Sequence, residues 1–127
     1  MSVIAIESAM EHTYAEPEDL ALVQRCLDAA EDTAQDFIQR RFYADDAALA
    51  AARATVPTLR SDARAVYDAA ILAAAAITDE AVKDEVIADA QAILADSLVA
   101  ALRIQNGIVI KPSIVSACLL ITGHLYA

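Results

Sequence analysis

With 127 residues, only two glycines and only three prolines, the chain can bury one hydrophobic core but lacks the turn residues of a β-sandwich or barrel, so an all-α fold is predicted. Although 58% of the residues are hydrophobic, many are alanines that contribute little apolar area, and we expect a thin core that gains stability from neighbouring copies. The formal net charge of -10 argues against a groove that binds nucleic acid through its phosphates.

Two helices are predicted at the start of the chain. The first covers residues 4–13, and the second begins at Pro17, because proline suits the first position of a helix. Acidic residues at the start of this second helix, and Arg40 and Arg41 at its end, match the helix dipole. Its apolar face is expected to pack in the core and consists of Leu20, Val23, Leu27, Ala30, Ala34, Phe37 and Ile38.

The middle of the chain is predicted to hold a short alanine-rich helix over residues 44–56, which Pro57 ends, and a further helix that runs to Ile77. That further helix begins at Leu59 or Ser61 and carries a narrow apolar stripe of Leu59, Ala63, Val66, Ala70, Ala74 and Ile77. Thr78 is interpreted as the N-cap of the next helix, which continues to Ile104. Apolar residues cover about half the circumference of this last helix, namely Val86, Ile87, Ala90, Ile93, Leu94, Leu98, Ala101, Leu102 and Ile104. We therefore expect it to be either a central bundle helix or one that a second subunit covers on one side.

An extended segment and a final helix close the sequence. Residues 108–110 are apolar and β-branched, and the position before Pro112 disfavours helix, so this run is predicted to be extended. Pro112 then starts the last helix. The predicted architecture is a small helical bundle of about four to five helices, with a short extended segment before the last one, in a single domain over residues 1–127.

The sequence offers little for catalysis or for cofactor binding. Its two glycines allow neither a dinucleotide fingerprint nor a phosphate-binding loop, and no Glu-x-x-His pair is present, so we expect neither an enzyme nor a cofactor. Cys26 and Cys118 each lie among apolar residues at helical spacing and are interpreted as reduced core thiols. The alternative is a metal site that joins them to His12 and His124, but the usual short ligand spacings are missing.

Several residues are candidates for protein contact. A basic doublet followed by two aromatics, residues 40–43, is typical of interface hot spots, although helix capping by the arginines is the alternative. The broad apolar helix and the histidine and tyrosine near the end of the last helix supply further candidates. The full set is Arg40, Arg41, Phe42, Tyr43, Leu98, Leu102, His124 and Tyr126.

The sequence also indicates where the protein resides. Its longest apolar stretches, residues 69–77 and 114–121, fall well short of the roughly 20 residues that span a bilayer, so no membrane association is expected. The first basic side chain is Arg25, and the opening residues therefore lack the basic region of a signal peptide. We expect the protein to remain in the cytoplasm of the cell that makes it.

Two segments together resemble a known family. In residues 4–43, the run IESAMEH (6–12) precedes an acidic stretch and then DLALVQRCLDAAE (19–31). This is similar to the short opening helix, acidic spacer and long helix of head-tail connector proteins of long-tailed double-stranded DNA bacteriophages, also described as DNA packaging proteins. The run IKPSIVSACLLITGHLY (110–126) looks like their closing helix, in which a proline start leads through apolar residues to a histidine or aromatic cluster.

The resemblance implies a structural role in the virion. Copies would form a ring beneath the portal protein, extend the DNA channel, and present a platform to a stopper or tail-completion protein, while DNA passes through without specific binding. Such a protein would assemble in the bacterial host cytoplasm and end at the head-tail junction. Residues 44–109 match nothing in the family and are interpreted as a lineage-specific middle region. The alternative is a small regulatory module that binds one partner protein through its broad apolar helix.

Overall fold

The computed structural model describes residues 2–127 and is almost entirely helical, which confirms the predicted all-α class. In chain order the elements are α1 (Ile6–Thr13), a 3-10 turn (Pro17–Asp19), α2 (Leu20–Ile38), β1 (Phe42–Tyr43), α3 (Asp46–Ala54), α4 (Val56–Ala74), α5 (Glu80–Gln105), β2 (Ile108–Val109) and α6 (Pro112–Tyr126). They form two compact units. The first holds the chain up to Leu49 together with Gly107–Ala127, and the second is Ala50–Asn106.

The ends of α2 differ from the prediction. Pro17 opens a separate 3-10 turn, and α2 itself begins at Leu20. The helix stops at Ile38 because Gln39 adopts the left-handed conformation, with a φ of 58°, and its backbone N–H bonds back into the last turn. Arg40 and Arg41 therefore lie beyond the helix rather than within its final turn.

The N-terminal ends of α4 and α5 were also predicted wrongly. Pro57 does not end a helix but occupies the first turn of α4, where its missing N–H costs no hydrogen bond. The N-cap of α5 is Asp79 rather than Thr78, since the Asp79 carboxylate accepts hydrogen bonds from the backbone N–H groups of Ala81 at 3.0 Å and Val82 at 3.3 Å. A carboxylate is a strong cap, and its charge also suits the helix dipole.

The core of the first unit lies where α1 and α6 pack on α2. Its buried apolar residues are Ile4, Ala9, Val23, Leu27, Phe42 and Cys118. The predicted stripe of α2 is confirmed at Val23, Leu27 and Ala30. It is wrong at Leu20, Phe37 and Ile38, which are exposed. Phe37 has 88% of its surface exposed, because α2 ends one residue later and no further turn follows to hold a neighbour against the ring.

A short parallel strand pair joins distant parts of the first unit. Phe42 pairs with Ile108 and Tyr43 with Val109. The extended segment predicted over residues 108–110 is confirmed at Ile108 and Val109, but its pairing with residues 42–43 was not predicted. The Ile108 N–H donates to the Arg41 carbonyl at 3.0 Å, and the Ile110 N–H donates to the Tyr43 carbonyl at 2.8 Å. The second unit is thus inserted, in sequence, between two strands that are hydrogen-bonded to each other.

Two buried polar side chains of α2 tie other segments to that helix. Glu31, only 4% exposed, accepts hydrogen bonds from the backbone N–H groups of Val3 at 2.9 Å and Ile4 at 2.7 Å. One turn later Gln35 accepts from the Phe42 N–H at 3.0 Å and donates to the Glu31 carbonyl at 3.3 Å. These bonds fix both the N-terminal segment and β1 against the same side of α2.

We expect Glu31→Ala to lower the free energy of unfolding by about 3 kcal/mol, because two charge-assisted hydrogen bonds disappear and their backbone donors lose a buried acceptor. Equilibrium urea denaturation followed by circular dichroism measures the change. The matched control is Asp32→Ala at the exposed neighbouring position, which should shift the value by no more than about 0.5 kcal/mol. Equal effects of the two substitutions would contradict the anchoring role of Glu31.

Candidate protein-contact surfaces

The second unit is a helical hairpin with a thin core. In it α4 packs along α5, and the fully buried positions are Val56, Ala74, Ala90 and Ala101. Three of these four are alanines, which let the helix backbones approach closely but bury little apolar area. Most of the larger aliphatic side chains of the two helices are therefore left at the hairpin surface.

An open groove of about 460 Å³ runs along one side of this hairpin. Its larger lining side chains are Leu59, Val66 and Tyr67 from α4 and Ile93, Leu94 and Ile104 from α5. Val66 is 61% exposed and Ile93 is 57% exposed, so these aliphatic groups face outward. We call this feature the α4/α5 groove. Four members of the stripe predicted for α4 line it, namely Leu59, Ala63, Val66 and Ala70.

Charged residues lie near the apolar floor of the groove. Asp62 lines it directly, three residues after Leu59 on the same side of α4. On α5 the exposed Asp89 and Asp96 stand one turn before and one turn after Ile93, and Arg103 stands one turn after the lining Ala100, so both signs of charge occur near that wall. The described lining residues include no lysine or arginine. The groove is therefore mostly apolar, and Asp62 is the charged residue of its described lining.

The predicted contact residues of α5 lie outside this groove. Leu98 is half-buried and Leu102 is about half exposed, and neither is part of the lining. The sequence pattern included Ile93 among the apolar residues that cover half of α5 but did not select it as a contact residue. The pattern does not show which of those residues lie next to α4. Ile93 and Val66 are the contact candidates that the structure adds.

A second exposed surface lies where α2 ends. Phe37, Ile38, Arg40 and Arg41 are all exposed there, and we call these four residues the α2 tip. Phe37, Ile38 and Arg40 lie within four residues of one another, whereas Arg41 lines a separate pocket with Asp28, Glu31 and Asp32 of its own unit. The predicted cluster of residues 40–43 is thus divided, because Arg40 and Arg41 face outward while the two aromatics after them turn inward.

The two aromatics turn inward because β1 pairs with β2. Phe42 is only 4% exposed and belongs to the core of the first unit, so it does not offer its ring for contact. Tyr43 is half-buried; burial raises the pKa of its phenol, and the nearby charge of Arg41 opposes that rise. The exposed aromatic of this region is Phe37, which the sequence pattern had assigned to the core.

The end of α6 closes against the start of the chain. Tyr126 donates a hydrogen bond from its phenol to the Asp19 carboxylate at 2.6 Å, and this bond is the main cause of a raised pKa of Tyr126. Gly123 lies against His12, since a Cβ at Gly123 would come within 3.4 Å of His12 Nε2. His124 points outward and is exposed. Of the two predicted contact residues of α6, Tyr126 therefore holds the fold together and His124 is accessible.

Cys26 and Cys118 are buried and unbridged, which confirms their interpretation as reduced core thiols. Burial, and then the charge of Glu31, raises the pKa of the Cys118 thiol and disfavours its reactive thiolate. Across residues 2–127, no three side chains of histidine, cysteine, aspartate or glutamate are grouped so that they could hold a metal ion. No helix within that range is long and apolar enough to span a bilayer.

Comparison with known proteins adds no relative. No family model matches the chain, and searches of curated proteins and of solved structures return no significant match. The resemblance to phage connectors therefore stays a prediction.

The bond between Tyr126 and Asp19 should make stability depend on alkaline pH. Because it requires the protonated phenol and raises the folded-state pKa above the ordinary 10.0, its contribution is complete below that value and disappears as pH rises through the raised pKa. We expect wild type to be more stable than Tyr126→Phe at neutral pH and the difference to vanish above the raised pKa.

Urea denaturation of both proteins at a series of pH values from about 7 to about 12 tests this. Tyr14→Phe, at an exposed tyrosine of the same unit, is the matched control and should parallel wild type throughout. A difference between wild type and Tyr126→Phe that stays constant over the whole series would show that the hydrogen bond does not stabilise the folded chain.

Proposed function

We propose that the chain is a structural head-tail connector subunit, which assembles as a ring beneath a phage portal, extends the DNA channel and provides a docking platform for the tail. The observation that carries the proposal is the folding together of the two segments that resemble this family. Residues 4–43 and 110–126 are far apart in sequence, yet α1 and α6 both pack on α2 in the first unit. Two segments of one family domain are expected to pack together, as α1, α2 and α6 do.

The position of the unmatched middle region also supports the proposal. The second unit, Ala50–Asn106, falls entirely within residues 44–109, where the resemblance is absent. The chain leaves the first unit after β1 and returns to it at β2, the strand that pairs with β1. An elaboration inserted at such a place leaves the family-like part of the chain intact, so the missing resemblance of the middle does not weaken that of the two ends.

The character of the exposed surfaces favours assembly. The α4/α5 groove is walled mainly by aliphatic and small side chains, and the polar side chains among the described lining residues are Asp62, Tyr67 and Ser97. An open and mostly apolar groove of this kind is typical of surfaces that bind other proteins.

The charge of the chain suits a DNA channel. A net charge of -10 would give a ring of copies a strongly negative surface, and a negative channel wall repels the phosphate backbone so that DNA passes without adhering. In this role the portal protein would be the partner on one side and a stopper or tail-completion protein the partner on the other. The protein would assemble in the host cytoplasm and remain at the head-tail junction of the virion.

A regulatory module is the second candidate, and the α4/α5 groove is the observation that favours it. A groove between two helices, mostly apolar and with Asp62 in its lining, can bind one amphipathic helix that carries a basic residue beside its apolar face. This function requires a monomer or dimer and a single partner. It does not require the two ends of the chain to resemble a phage protein.

The two candidates differ in solution mass. We expect light scattering coupled to size exclusion, from about 1 μM to about 1 mM, to show the mass rising with concentration to a closed ring of roughly a dozen copies. Electron microscopy of the largest species should show a central hole, and portal protein encoded beside the chain should lower the concentration at which rings form. A chain that stays a monomer or dimer throughout, even with portal present, would contradict the connector and favour the regulatory module.

A further inference from the structure

We propose that neighbouring subunits join when the α2 tip of one copy enters the α4/α5 groove of the next. This contact rests on the proposed ring assembly, since it names the surfaces through which copies of the chain meet. It pairs Phe37, a highly exposed aromatic residue at the end of α2, with the apolar groove of the second unit. Three properties of the two surfaces support it, namely their apolar area, their charge and their rigidity.

The apolar parts of the two surfaces match in kind and size. Phe37 leaves 88% of its surface in water, which is unfavourable for an aromatic side chain. The groove has a volume of about 460 Å³, enough for the Phe37 ring with Ile38 beside it. Val66 and Ile93, on opposite walls, are themselves more than half exposed and would be covered by the same contact. Docking would therefore remove apolar surface from water on both sides.

The charges of the two surfaces are opposite. Arg40 follows the aromatic ring and is exposed, while Asp62 lines the groove. An ion pair at the edge of an apolar contact speeds the encounter of the two surfaces and favours the matching partner. Two grooves placed face to face would instead bring the two Asp62 carboxylates together, which disfavours symmetric pairing of groove with groove.

The α2 tip is held in place before any contact forms. Gln39 closes the helix in the left-handed conformation, and the Arg40 N–H donates to the Gln35 carbonyl at 3.2 Å. The Arg41 carbonyl accepts from the Ile108 N–H at 3.0 Å, so the strand pair fixes the next residue as well. A surface already ordered in the free chain loses little conformational entropy when it binds.

The contact also has the symmetry that a ring needs. The tip and the groove are different patches, so each copy can use its tip on one neighbour and its groove on the other. Head-to-tail contacts of this kind generate closed rings when the rotation between subunits closes. A contact of a patch with itself would stop at a dimer.

Two substitutions test the two sides of the contact one at a time. Phe37→Glu places a carboxylate in the tip, and Ile93→Glu places one in the groove wall, at positions exposed enough to leave the fold intact. We expect each to raise the concentration at half-assembly at least about tenfold, as loss of a central apolar contact commonly does. Leu72→Glu, an exposed α4 position outside the groove, is the matched control and should assemble as wild type does. Circular dichroism verifies that each variant is folded.

Mixing the two variants gives the decisive measurement. The Ile93→Glu chain retains an intact tip and the Phe37→Glu chain an intact groove, so an equimolar mixture should form a one-to-one dimer that grows no further. Neither variant alone should dimerise. The dimer should weaken as salt is raised, because the ion pair at its edge is screened, and Arg40→Glu placed in the Ile93→Glu chain should weaken it further.

The outcomes separate this contact from the proposed function. Rings that form equally well from wild type, Phe37→Glu and Ile93→Glu would overturn the contact and leave the connector role standing. A mixed dimer from a chain whose wild type never closes into rings would support the contact and remove the connector role. A groove that binds a basic amphipathic peptide but produces no mixed dimer would overturn the contact in favour of a partner helix.

Discussion

The buried carboxylate of Glu31 is the constraint on which the first unit depends. A charged group at 4% exposure is tolerated only if its oxygens are occupied, and here the backbone N–H groups of Val3 and Ile4 occupy them. Together with Gln35 one turn later, it determines where the N-terminal segment and β1 lie against α2. The orientation of the strand pair, and with it the presentation of the α2 tip, follows from these few hydrogen bonds.

The cores of the two units are built from different kinds of side chain. The first unit concentrates Val23, Leu27 and Phe42 in one cluster and adds polar bonds at its edge. The second has mostly alanines at its centre and leaves aliphatic side chains such as Val66 and Ile93 outside. If a partner covers the groove of such a hairpin, binding of that partner also stabilises the folded hairpin. The thin core expected from the alanine content is therefore localised in the hairpin.

The helices and the extended segment could be predicted from the sequence because apolar spacing, Pro112 and the β-branched run at 108–110 act locally. Other features are not local. Glu31 and Gln35 stand one turn apart and look like a solvated face until the backbone donors that they satisfy are in place. Phe37 fits the apolar stripe of α2 by spacing, but spacing does not reveal that the helix ends before anything covers the ring. The α4/α5 groove likewise depends on which part of a wide apolar arc faces α4.

The paired strands have an evolutionary consequence. Because β1 and β2 are adjacent and only two residues long, the chain departs at Tyr43 and re-enters at Ile108, beside Phe42, with the strands about 4.8 Å apart. Anything with closely spaced ends can be inserted at that point without altering the path of the remaining chain. Lineages could therefore lengthen, shorten or exchange the hairpin as a module while the surrounding helices drift slowly. The hairpin would then be the part of the molecule in which specificity for a neighbour diversifies first.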